Sequence, residues 1–212
     1  MPREAILPFI NNIFVLLLKR LTGTAKTIKY SKGFVTFIST IIVKQIPRLE
    51  IETIVNIFDS FQPNLFSQLL SGVIIPNLKL MHTTFEKRVA SVAMILLLSK
   101  EFMLQDIYLN HWGSLILELV NLVKISGVAS KGDSQLLIEE EMYSLDADEK
   151  GYQSGFSKLS VIGKVKPDIT LKYTDLNSNL KEVIINGSKK NPRVVEILNN
   201  VNELKPFLAT LS

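Results

Sequence analysis

His82 and His111 are the side chains best suited to acid–base or metal chemistry near neutral pH, and they are the only histidines in the 212-residue chain. They lie far apart, neither sits in a ligand spacing such as His-x-x-x-His, and cysteine is absent, so no thiolate or imidazole metal motif can be assembled. His82 reads as a cation near a helix C-terminus or a surface residue, and His111, beside Trp112, as part of a packed turn. The run Gly151-Tyr152-Gln153-Ser154-Gly155 lacks the Lys-Ser/Thr pair of a phosphate-binding loop, and there is no Gly-x-Ser-x-Gly nucleophile turn. Carboxylates are concentrated at Glu139, Glu140, Glu141, Asp146, Asp148 and Glu149. Paired acids can do general acid–base work, but only where burial tunes one of them, and a polar run of this kind offers no desolvation. The expectation is a chain that is not an enzyme and needs no cofactor or metal.

Binding by charge is the next possibility. The net charge is +4, and it is unevenly placed. The first fifty residues hold Arg3, Lys19, Arg20, Lys26, Lys29, Lys32, Lys44 and Arg48 against Glu4 and Glu50. Lys26, Lys29 and Lys32 recur every three residues beside Tyr30, the kind of stripe that phosphate binding needs. The modest total charge and the absence of a base-reading motif make a solvated helix face the better explanation, and no nucleic-acid partner is expected. The asymmetry between a basic start and an acidic run points instead to surfaces for charged protein partners.

The elements that carry these residues are helical. Ile6, Phe9, Ile10, Ile13, Phe14, Leu17 and Leu21 form one stripe over 4–22; Phe34, Val35, Phe37, Ile38, Ile41 and Ile42 form another over 26–45, closed by Ile46-Pro47. Ile51, Ile54, Val55 and Phe58 give a short third stripe. A fourth helix is expected to open at Pro63 and run to Met81 through Leu65, Phe66, Leu69, Leu70, Val73, Ile74 and Leu78. Thr83 and Glu86 form a capping box ahead of Phe85, Val89, Val92, Ala93 and Leu96. Trp112, Leu115, Ile116, Leu119, Val120 and Val123 follow, after a short connector at 106–110. Further on, short helices are expected over 156–162 and 175–186, the latter ended by Gly187, with a last helix over 192–211 that Pro206 kinks.

Each helix is too apolar on one face to stand alone, and pairs begin near residues 4, 49 and 84, a period of roughly 35–45 residues that fits HEAT or armadillo repeats. The expected fold is therefore all-α, an α-α superhelix of about four to five helix pairs. Residues 1–125 are expected to hold the HEAT-type pairs, 126–155 an acidic, Gly/Ser-rich excursion, and 156–212 a C-terminal helical repeat. The mean hydropathy of +0.25 is high, but no apolar run approaches the ~20 residues of a membrane span. Buried helices account for it, and no membrane insertion is expected. The N-terminus shows no secretory pattern, and the lack of cysteine fits a reducing compartment. If repeats normally precede residue 1, the first pair should carry an apolar outer face. Binding then falls to surface residues, with Gln68, Asn77 and Lys79 as polar-facing candidates.

Four blocks, in order, carry a resemblance. They are Asn12–Leu21 with Lys26–Ile38, Ile57-Phe-Asp-Ser-Phe-Gln-Pro63, Val73-Ile-Ile-Pro76, and Gly151-Tyr-Gln-Ser-Gly-Phe-Ser-Lys-Leu159 after the acidic run. Together they resemble the late HEAT repeats of the importin-α re-exporters, the CAS-type exportins of the importin-β superfamily; beyond Lys164 the match fades. The resemblance implies a C-terminal part of a nuclear transport receptor that binds importin-α together with Ran-GTP and carries importin-α out of the nucleus, shuttling between nucleus and cytoplasm. Any GTP chemistry would belong to Ran. Partner contacts are then expected at Glu139, Glu140, Glu141, Asp146, Asp148, Glu149 and Tyr152. A HEAT or armadillo scaffold with no part in transport is the alternative that the periodicity fits equally well.

Overall fold

The computed structural model describes residues 7–23, 27–126 and 168–210, and every regular element among them is helical. A 3-10 turn, Leu7–Phe9, leads into α1, Ile10–Thr22. Pro8 sits in that turn, where its missing N–H costs nothing. α2, Ile28–Lys44, starts at Thr27, whose side chain accepts a hydrogen bond from the Tyr30 N–H, and ends at Gln45 in the left-handed conformation. α3 spans Ile51–Phe61.

The helix after α3 opens one step later than the sequence suggests. Pro63 lies outside it, and Asn64, at φ 61°, is the N-cap of α4, Leu65–Leu69. Asp59 supplies the missing cap from upstream, accepting from the Phe66 N–H at 2.9 Å. A π-helical turn, Leu70–Ile74, joins α4 to α5, Ile75–Leu78. Pro76 explains the widening: it cannot bond to the carbonyl four residues back, and its ring would press on that carbonyl in a regular helix. The Ile75 N–H instead reaches the Leu70 carbonyl.

α6, Thr84–Leu98, carries the expected capping box in full. A 3-10 turn at Glu101–Leu104 and the single-turn α7, Asp106–Leu109, connect it to α8, Trp112–Ser126. After residue 167 come α9, Leu176–Lys190, α10, Arg193–Asn199, a 3-10 turn at Asn202–Leu204, and α11, Lys205–Leu208. Gly187 does not end α9; the helix runs three residues further. Pro206 does not kink a long helix either: Val201 breaks the chain, and Pro206 stands in the first turn of a new one. The helix expected over 156–162 and the excursion over 126–155, apart from Ser126 at the end of α8, fall outside the described residues.

These helices pack in two rows. α6 lies between α2 and α9 in one, and α8 lies between α5 and α10 in the other, with α2–α5, α6–α8 and α9–α10 contacts joining the rows. This is the layered stack of an all-α HEAT-repeat solenoid. One detail departs from a regular ladder: α2 packs most extensively on α6, so the eleven-residue α3 does not separate them. The Lys32 ammonium, 3.8 Å from the Glu86 carboxylate, ties the early turns of α2 and α6, and Lys100 to Glu52 at 2.9 Å ties the end of α6 to α3.

The core is continuous through both rows. Trp112, Phe14, Phe58 and Phe66 are its largest fully buried members. Aromatic rings link the helices across it: Phe14 stacks on Phe58 at 4.8 Å, Phe58 faces Phe66 at 6.1 Å, and Tyr108 meets both Phe66 and Phe102.

Candidate partner-binding surfaces

The acidic residues singled out above, Glu139, Glu140, Glu141, Asp146, Asp148 and Glu149, and Tyr152 with them, lie outside the described residues. The structure does describe the two places between which they run. One is the end of α8. The other is a clamp at 168–173, built on α6. Arg88 donates from Nε to the Thr170 hydroxyl at 2.7 Å and from Nη2 to the Tyr173 carbonyl at 3.1 Å. The Thr170 hydroxyl and backbone N–H both donate to Asp168 Oδ1, at 2.7 and 2.8 Å. Thr170 is fully buried, so the guanidinium, hydroxyl and carboxylate form a satisfied polar chain that holds 168–173 to α6. Lys172 reaches across to Gln45 at 3.2 Å. Nothing in the local sequence marks Arg88, since its partners are more than eighty positions away.

The C-terminal repeat is fastened on its stack-facing side. Lys190 pairs with Glu101 at 2.9 Å, Arg193 with Asp106, and the Asn191 amide donates to the Leu104 carbonyl. The Lys190 hydrogen bond holds the Glu101 carboxyl below its usual range. Gly187 faces the ring of Trp112, whose indole N–H donates to the Met103 carbonyl at 2.8 Å, and a Cβ at 187 would stand 2.6 Å from Trp112 Cη2. Close approach of a ring, not a helix stop, is why this position is glycine.

His111 is half-buried between α4 and α8, with Nε2 2.8 Å from the Ser67 hydroxyl, which also donates to the Ile107 carbonyl. Burial lowers the His111 pKa from 6.5. The pair braces two helix starts. Tyr108 beside it is pushed up to about 12 by burial and by Asp59. His82 is exposed, its backbone N–H donating to Glu86. Among the described residues no three His, Cys, Asp or Glu side chains gather as metal ligands, and no helix is long and apolar enough to cross a membrane.

Of the polar candidates, Gln68 and Lys79 are exposed, but Asn77 is not: it is 8% exposed and turns its amide back to the Val73 carbonyl at 2.7 Å. It seals the π turn instead of meeting a partner. Among the lysine stripe, Lys26 lies outside the described residues, Lys29 is exposed, and Lys32 is engaged by Glu86. Arg20 covers the Tyr30 ring at 4.7 Å, and the Tyr30 hydroxyl donates to the Leu17 carbonyl. Tyr30 therefore fixes the α1–α2 turn. A slot of about 470 Å³ opens between α9, α10 and α11, walled by Ile184, Ile185, Val195, Leu198 and Leu208, with Lys189 at its margin.

A two-row stack of short helices with open surfaces and a closed core defines an all-α HEAT-repeat solenoid. The chain belongs to the CAS/CSE family: the family model described as "CAS/CSE protein, C-terminus" matches residues 1–209. Among curated relatives, Exportin-2 of Danio rerio and Exportin-2 of Mus musculus are each 31% identical over 169 residues, and Exportin-2 of Homo sapiens is 30% identical over the same length. Each alignment covers 79% of this chain but only 16% of the relative.

Proposed function

We propose that this chain acts as the C-terminal part of a nuclear transport receptor that binds importin-α in the presence of Ran-GTP and exports it from the nucleus, moving between nucleus and cytoplasm. The observation that carries the reading is the family match over nearly the whole chain, to relatives whose name is Exportin-2. The helical stack supports it physically, because successive helix pairs present an extended surface suited to gripping another protein. The acids Glu139, Glu140, Glu141, Asp146, Asp148 and Glu149, with Tyr152, are proposed as contacts to a basic face of importin-α or Ran. As exposed ion pairs they would each contribute ~0–1 kcal/mol and act mainly on association rate and salt sensitivity.

The test is a chimera in which this chain replaces the matching C-terminal region of a full-length Exportin-2. Importin-α capture should depend on Ran-GTP, and neutralising the six acids should flatten its salt dependence. A folded chimera that takes up Ran-GTP but captures no importin-α would overturn the reading in favour of a scaffold without a transport role.

A further inference from the structure

We infer that the slot between α9, α10 and α11 is a docking site for an apolar side chain carried on an acidic segment of a partner protein. Leu198 and Ile184 form its floor, at 1% and 3% exposure, while Ile185 and Val195 form its lips, at 38% and 44%. Apolar surface thus runs unbroken from solvent into about 470 Å³ of space, within the ~300–1,000 Å³ range in which proteins seat compact groups. Among the described residues, Ser188, Asn199 and Lys189 are the polar side chains of the wall. A ligand rich in donors and acceptors would leave them unpaired there, whereas an aliphatic or aromatic side chain would not.

Charge selects what flanks that side chain. α9 ends in two lysines and is followed closely by Arg193, and their duties divide. Lys190 and Arg193 are paired with Glu101 and Asp106 on the stack-facing side. Among the described residues, Lys189 is the sole charged residue of the slot wall, and its ammonium has no partner there. A carboxylate beside the inserted side chain meets this cation; a basic flank is repelled. One cation is too few to hold an anionic membrane, which needs a basic cluster. The inference concerns ligand chemistry and does not depend on the transport reading.

The full 212-residue chain, methyl-labelled for NMR, is titrated with two synthetic peptides, each with one leucine, flanked by glutamates in the first and by lysines in the second. Saturable shifts at the methyls of Ile185, Val195 and Leu198 are expected with the acidic peptide alone. Lys189→Glu should weaken that binding about fivefold, the scale of one exposed ion pair, without changing the helical circular dichroism. Val195→Asp should remove it. Equal shifts with both peptides, or none with either, would overturn the inference. So would slot methyls that shift on diluting the chain alone, which would mean a second copy is the occupant. Shifts on deleting Leu136–Glu141 would overturn it too, since the chain's own segment would then fill the slot.

Discussion

Two opposed effects meet at Gly187. Helix propensity alone favours alanine over glycine by about 1 kcal/mol in a helix interior. Against this, the added Cβ would be driven into the Trp112 ring, which is fully buried and pinned through its indole N–H. Overpacking of that kind costs about 1–3 kcal/mol, so Gly187→Ala should lower the melting temperature and shift the emission of the protein's single tryptophan. An unchanged melt and spectrum would mean that α9 and α8 slide apart freely. His111 sets a different sensitivity. Its folded pKa lies below the unfolded 6.5 because burial opposes the charge. As pH falls through 6.5 the unfolded chain takes up the proton first, so stability declines from there down to the folded value. Denaturation midpoints for wild type and His111→Gln should converge in slope above 6.5, the unfolded value, and diverge as pH falls below it, with the variant flatter.

At the scale of elements, Phe58 is the hinge of the aromatic chain, touching rings from α1, α2 and α4. Phe58→Ala should cost about 3–5 kcal/mol, and hydrogen exchange should show the loss spread across those three helices and not confined to α3. The stripes that include Phe58 were readable from residue types alone, because burying one helical face imposes a period that any strong apolar pattern reveals. So was the Thr83–Glu86 box, whose partners are local. Errors came where a distant group overrode a local rule. Gly187 reads as a stop until Trp112 is placed beside it. Asn77 reads as a surface amide until packing buries it and its amide turns back to the Val73 carbonyl. Ser67 and His111 are 44 positions apart, and no spacing rule joins them. The acid-lined surface proposed for partners rests on residues read from sequence and family alone.

Across the whole molecule the two rows are not finished alike. The turn before α1 exposes Phe9, and α1 exposes Val15 and Leu16, at 59%, 41% and 67%, an apolar patch at this end of the stack. At the other end the surface is broken up by lysines and a small slot. Between them, α2 packs directly on α6.

The clamp of Arg88 on Thr170 and Tyr173 has one more implication. It belongs to a contact that needs no peptide bond, since α9 lies on α6 and α10 on α8 whichever way the chain travels between them. The protein can accordingly be treated as a split pair. Residues 1–126 and 127–212, made as separate polypeptides, should reassemble and elute together from a sizing column, whereas Arg88→Ala in the larger piece should loosen the reunion.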